Sequence, residues 1–268
     1  MRTIAHVSDL HFGREDPRVV EAVLEDLAAA RPDLVVVSGD LTQRARRRQF
    51  QAARAFLDRF PAPVLVVPGN HDIPLFDLAR RFFRPLGRYR SLVTADLAPL
   101  FHDDEVAVLG VNTARSNVWK SGRLSHDQID GIRARLSPLP PRVFKVLVTH
   151  HPFVPPPGTR AHRVVGRGLQ ALQVAEACGV DLLLAGHLHV GWSGDVRAHH
   201  LTIRRSILVV QAGTATSLRV RSEPNTYNVI TVDGPALGLA VRGWDGARFA
   251  PLSAVRYVKR DEEWVREA

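Results

Sequence analysis

Cysteine occurs once in the 268 residues, at Cys178, so neither an internal disulfide framework nor a cluster of thiolate metal ligands is available. Lysine is nearly missing as well: Lys120, Lys145 and Lys259 stand against 33 arginines. Acidic residues are the minority, 27 against 36 cationic ones, which leaves a formal charge of +9. That balance favours anionic partners such as phosphate esters, nucleic acid or lipid headgroups, and it bears on association, not on fold. No stretch reaches the roughly 18 apolar residues of a membrane-crossing helix, and MRTIAHVSDL lacks the apolar core of a secretory signal. A cytoplasmic location without a transmembrane segment is therefore expected. Internal repeats and low-complexity tracts are also missing, while 45% hydrophobic residues are too many for a disordered chain. One folded domain over residues 1–268 is expected.

Apolar runs and amphipathic stretches alternate through the first two thirds. TIAHVSD, DLVVVSGD and APVLVVPGNHD read as strands. Between them Val19, Val20, Val23, Leu24 and Leu27 recur at helical spacing, and Phe50, Ala53, Leu57 and Phe60 share one helical face. EVAVLGVNT, RVFKVLVTHHP and VDLLLAGHLH continue the strand pattern around two helices, one opened by a Ser125 and Gln128 capping box and one ended by Gly179. Beyond residue 190 the helical signal stops. ILVVQAGT, TYNVITVD and the alternation of Leu237, Leu239 and Val241 predict antiparallel strands. Residues 1–190 thus form an α/β part, and 191–268 a strand-rich part completing a second sheet.

Each strong strand of the first part ends in residues that bind metals. These clusters are Ser8-Asp9-Leu10-His11, Gly39-Asp40, Gly69-Asn70-His71-Asp72, Thr149-His150-His151 and Gly186-His187-Leu188-His189. Ligand sites of open α/β sheets lie beyond the carboxyl ends of strands, so clusters spread over the chain can converge in one crevice. Asp9 and His11 are two apart, as are His187 and His189, which in extended backbone points both members of a pair the same way. Carboxylate, imidazole and amide without thiolate suit Mn²⁺, Fe, Zn²⁺, Co²⁺ or Ni²⁺. One ion takes about four to six ligands, and the surplus suggests two ions sharing a carboxylate, a pattern typical of phosphoester hydrolysis.

DLH, GD, GNHD, THHP and GHLH resemble the five signature blocks of the calcineurin-like metallophosphoesterase superfamily, over residues 8 to 189. The resemblance implies a two-sheet α/β sandwich flanked by helices, in four α-β-β-α layers. It implies that Asp9, His11, Asp40 and His189 hold one ion and Asp40, Asn70, His150 and His187 the other, with Asp40 as the bridge. The ions would be divalent or mixed-valence, with Mn and Fe favoured, and would activate a bridging water against a phosphodiester. His71 would stabilise the transition state or protonate the leaving oxygen, and Asp72 would orient the block. Gly39-Asp40-Leu41-Thr42-Gln43-Arg44 departs from the GDxVDRG of protein phosphatases, and His71 departs from the GNRD of enzymes that cleave UDP-diacylglucosamine. The set looks most like class III cyclic nucleotide phosphodiesterases and their glycerophosphodiesterase relatives. A repair-type nuclease, a phospholipid headgroup hydrolase and a metal-free scaffold stay open, as does a homodimer; nucleic acid is the less favoured partner and a small phosphodiester the expected one.

Other residues carry weaker signals. His6 reads as a satisfied core histidine, and His151 either touches substrate or, by strand alternation, is a packed neighbour facing the other way. His199 and His200 are expected in solvent. Arg44, Arg46, Arg47 and Arg48 read as a solvated face or a phosphate-binding patch. RFFRPLGRYR, residues 81–90, reads as core aromatics with exposed cations, or else as a segment that stacks a base or lies on a membrane surface. The segment 154–168, with Arg160, Arg163 and Arg167, is a surface crossover or a specificity element beside the site.

Overall fold

The computed structural model describes residues 1–156, 164–200, 202–218 and 223–267. Strands β1 (Arg2–Val7), β2 (Leu34–Val37) and β3 (Val64–Val66) alternate with helices α1 (Pro17–Ala30) and α2 (Arg47–Leu57). Short helices α3 (Leu78–Phe83) and α4 (Gly87–Leu92) follow. Then come β4 (Leu100–His102), β5 (Val106–Gly110), α5 (His126–Leu136), β6 (Phe144–Val148), α6 (Gly168–Ala177), β7 (Leu182–Ala185), β8 (Trp192–Asp195) and β9 (Leu208–Gln211). Four long or paired strands end the chain: β10 (Thr226–Asp233), β11 (Ala236–Trp244), β12 (Phe249–Arg260) and β13 (Glu263–Arg266). No helix among the described residues is long and apolar enough to cross a membrane.

The strands form two mixed sheets, one ordered β13-β12-β11-β10-β1-β2-β3 and the other β4-β5-β6-β7-β9-β8. Successive side chains of a strand point to opposite faces, and this sorts the apolar residues into layers. Ala5, Val7, Val35 and Val37 pack outward against α1 and α2. Leu109, Leu147, Leu183 and Val209 pack outward against α5 and α6. Ile4, Leu34, Val36, Val108, Val146, Val148 and Leu184 lie between the sheets. The four-layer sandwich flanked by helices is the observed architecture.

The helix ends follow their capping chemistry. Asp16 accepts from the Arg18 N–H ahead of α1, with Pro17 in the first turn, and Ser125 Oγ accepts from the Gln128 N–H at 3.2 Å ahead of α5.

Two expectations are corrected. The strands after residue 190 do not simply complete the second sheet: β8 and β9 join it, β9 running parallel to β7, while β10 to β13 extend the first sheet from the edge of β1. At the start of residues 81–90, Arg81, Phe82 and Phe83 invert their expected burial. Arg81 is 2% exposed and Phe83 86%. Distant carbonyls satisfy part of the Arg81 guanidinium, whose Nη1 donates to Pro74 at 3.0 Å and whose Nη2 donates to Val118 at 3.3 Å. Tyr89, as expected, is in the core, its hydroxyl donating to the Val66 carbonyl.

Candidate metal centre

Every candidate ligand sits just past the carboxyl end of a parallel strand. Asp9 and His11 follow β1, Asp40 follows β2, and Asn70, His71 and Asp72 form a single 3-10 turn after β3. His150 follows β6, and His187 and His189 follow β7. Asp9, His11, Asp40, His187 and His189 have φ between +51° and +74°, a region that residues other than glycine seldom enter and that clusters at functional sites. Gly39, at φ +97°, leaves no room for a side chain, since a Cβ would lie 2.6 Å from His150 Nδ1. Gly69 needs its bareness for a different reason: any side chain would overlap the backbone and carboxylate of Asp40.

The loops bring all seven expected ligands together. Asp9 Oδ1 is 3.1 Å from His189 Nε2 and 3.6 Å from His11 Nε2, which in turn is 3.8 Å from Asp40 Oδ2. On the other side of Asp40, His150 Nε2 is 3.4 Å from Oδ1 of that carboxylate and 3.2 Å from Asn70 Oδ1. The His187 ring is centred 5.1 Å from that of His150. Asp40 therefore stands between two sets of ligand atoms.

Hydrogen bonding decides what these atoms can offer. His150 Nδ1 is 2.8 Å from the Ser38 carbonyl, which only accepts, so Nδ1 carries a proton. In a neutral ring, Nε2 then presents a lone pair to the oxygens of Asp40 and Asn70, an arrangement that requires a proton or a metal cation between them. Without metal the proton is held: burial disfavours the charged ring, but the Asp40 carboxylate outweighs it and pushes His150 up to about 9. Burial alone would raise Asp40, yet His150, His71 and His11 hold it well below the usual carboxylate range. Asp9 is held low against burial by His189 and His11. Its Oδ2 accepts from Ser8 Oγ at 2.7 Å and from the His187 N–H at 2.9 Å, while its buried Oδ1 makes no hydrogen bond. Burial, then the charge of His150, pushes His187 down to about 3, and burial lowers His11 as well. Buried carboxylate oxygens and imidazole nitrogens converging in this way, with a proton held only where a cation would otherwise sit, fit divalent cations.

Asp72 lies outside this shell. Its buried carboxylate accepts from the backbone N–H groups of Leu41, Thr42 and Gly69 and from Thr42 Oγ1, at 2.9 to 3.1 Å. It ties the loop after β2 to the loop after β3. Burial and the Asp40 charge push its carboxyl upward. His71, half-buried, donates its backbone N–H to Asp40 Oδ1 at 2.8 Å, and its Nδ1 is 2.9 Å from the Gln43 carbonyl. Its ring is centred 4.8 Å from that of His11.

Residues of weaker signal sort as follows. His6 is buried and bonded to Ser38 Oγ at 2.9 Å. Of the two readings of His151, the structure favours the one beside the site: its ring centre is 4.6 Å from that of His187, and with His150 and His187 it forms one of four close groups of potential ligands among the described residues. The adjacent histidines at 150 and 151 were the signal for it. Thr113 Oγ1 holds its Nδ1 at 2.8 Å. His199 is exposed, whereas His200 is half-buried, 3.4 Å from the Phe153 carbonyl. Arg46, Arg47 and Arg48 are exposed, and Arg44 is half-buried, donating to the Gln43 carbonyl at 3.0 Å. Arg160 and Arg163 lie outside the described residues; Arg167 donates to the Leu124 carbonyl at 2.7 Å.

Comparison with known proteins agrees with this geometry. A family model described as calcineurin-like phosphoesterase matches residues 2–191. The chain is 29% identical over 163 residues to the glycerophosphodiester phosphodiesterase GpdQ of Enterobacter lignolyticus, covering 57% of each. It is 30% identical over 189 residues to the 3',5'-cyclic adenosine monophosphate phosphodiesterase CpdA of Escherichia coli K12, covering 65% of this chain and 62% of that one. These alignments span less than two thirds of either relative's length. A dimetal phosphatase from Danio rerio superposes with a TM-score of 0.68 over 94% of this chain and 98% of that one, at 14% identity. A purple acid phosphatase from yellow lupin superposes with a TM-score of 0.70 over 95% and 53%, at 12% identity. At such identities the likeness is one of fold.

Proposed function

The chain belongs to the calcineurin-like phosphoesterases, whose family model covers residues 2–191, and from that premise we propose that it is a binuclear metal-dependent phosphodiesterase acting on cyclic nucleotides or other small diesters. The observation that carries this reading is Asp40, placed between His11 at 3.8 Å and His150 at 3.4 Å with its carboxyl held ionised. On this reading Asp9, His11, Asp40 and His189 hold one ion, and Asp40, Asn70, His150 and His187 the other. The ligand types suit Mn, Fe, Zn, Co or Ni alike, and it is the family resemblance that favours Mn or Fe. Two bound divalent ions would supply positive charge for the phosphoryl oxygens and lower the pKa of water.

The chain's own residues do the rest. Ser8 and the His187 N–H occupy Asp9 Oδ2, which leaves Oδ1 to the cation. The Ser38 carbonyl fixes the His150 proton on Nδ1 and turns Nε2 inward. Asp72 locks the Asp40 and Asn70 loops in register. His71 keeps its Nδ1 proton on the Gln43 carbonyl, so Nε2 is the atom that carries a proton to the leaving alkoxide.

Chelator-treated protein reloaded with Mn²⁺ or Fe²⁺ is expected to regain hydrolysis of bis-p-nitrophenyl phosphate and to bind two ions per chain. Undiminished hydrolysis after metal removal would sink the reading. Parallel rates on cyclic AMP, a glycerophosphodiester, single-stranded DNA and a phospholipid assign the substrate class.

A further inference from the structure

Beside His71 lies a feature that the metal ligands do not explain. A cavity of about 250 Å³ opens on the Asn70 and His71 side of the centre. Ile73 and Leu75 give it an apolar wall, and Trp119 faces it among the cations Arg44, Arg81 and Lys120, with no carboxylate among the lining residues. Trp119 is 51% exposed, a large apolar surface left open next to the site.

The indole is held in place all the same. Arg81, 2% exposed, has its Cζ 4.0 Å from the indole ring centre. Its Nη1 donates to the Pro74 carbonyl and its Nη2 to that of Val118, so one guanidinium joins the segment after the Asn70–Asp72 turn to the segment bearing Trp119. The Nε of this arginine is buried and has no partner. A buried donor left unmatched is costly, so the guanidinium is kept in this place by its two carbonyl bonds and by its packing on the indole.

We propose that this cavity holds the organic group of the diester, and that Trp119, backed by Arg81, selects a flat neutral base of a nucleotide over the cationic headgroup of a glycerophosphodiester. The inference rests on the phosphodiesterase reading above. An indole face stacks any base, and Ile73 and Leu75 cover the base edge. Lys120 is a donor for ring nitrogens and carbonyl oxygens. The fixed charges that line the cavity, Arg44, Arg81 and Lys120, are all cationic and repel a quaternary ammonium, and Arg81 already occupies one face on which such a group would sit. The volume is enough for one base.

The test compares wild type, Trp119→Ala and Trp119→Phe in two ways. First, the metal-loaded enzymes are assayed on cyclic AMP and on glycerophosphocholine. In Trp119→Ala the KM for cyclic AMP should rise about tenfold or more, and the ratio of kcat/KM between cyclic AMP and glycerophosphocholine should fall with it. Phenylalanine should restore most of that ratio. Secondly, adenosine 5'-monophosphate added to the metal-free chain should quench the indole emission of wild type and fail to do so in Trp119→Phe. A wild type that prefers glycerophosphocholine, a ratio unchanged in Trp119→Ala, or equal quenching in Trp119→Phe overturns the proposal. If metal-loaded wild type hydrolyses no diester, it is the reading of the reaction that fails, and the quenching still decides the pocket.

Discussion

His150 Nε2 lies 3.4 Å from Asp40 Oδ1 while its Nδ1 proton is committed to the Ser38 carbonyl. Asp40→Asn keeps the shape of the side chain but removes the charge common to both ligand sets. The variant is expected to lose both ions and to drop in turnover by more than about a hundredfold. Elemental analysis run beside the rate checks this, and a variant that keeps its metal and its rate would remove Asp40 from the bridging position.

His71→Ala separates chemistry from metal binding. The ring sits on the Gln43 carbonyl and contributes no atom to the two sets assigned to the ions. Metal content should therefore stay, while turnover of cyclic AMP falls by roughly 10²- to 10⁴-fold, the usual worth of a general acid. Bis-p-nitrophenyl phosphate should suffer less, because a nitrophenolate leaves without a proton. Equal losses on both esters would assign His71 to charge stabilisation instead.

Asp72→Asn tests the lock between loops. Four donors converge on the carboxylate, and an amide turns one acceptor into another donor facing N–H groups. A loss of about 1–3 kcal/mol is expected, seen in metal-free protein as a melting point lower by several degrees. An unchanged melting point would mean that the loops hold without it.

The legible parts of the molecule were those whose information is local. β2, β6 and β7 are buried on both faces and read as unbroken apolar runs, and the ligands stand directly behind them. β12 was not legible, because half of its side chains are exposed and its apolar alternation is faint. Which sheet the last strands join was not legible either, since the partner of β10 is β1, over 200 residues away. Arg81 and Phe83 exchanged their expected places for the same reason. The carbonyl of Val118 that makes burial of Arg81 tolerable lies 37 residues further along the chain. The metal ligands announced themselves by type and spacing, whereas Trp119 became a candidate only when the fold brought it to the cavity beside His71.

His6 gives the molecule a pH dependence away from the metal ligands. The ring is buried beside Ser38 and Asn228, with Nε2 on Ser38 Oγ and Nδ1 facing the Asn228 amide. Burial pushes its pKa down to about 3, the Asp9 charge opposing only in part. In the unfolded chain the ring titrates near 6.5. Above that value neither state is protonated and the full contribution to stability is present. As pH falls from there toward about 3, the unfolded chain binds a proton that the folded one refuses, and stability is lost at up to about 1.4 kcal/mol per pH unit. Urea unfolding of metal-free protein at pH 7 and pH 5 should show this loss, and His6→Gln should reduce it by on the order of 2 kcal/mol. Identical pH slopes in the two proteins would show that His6 takes up its proton while still folded.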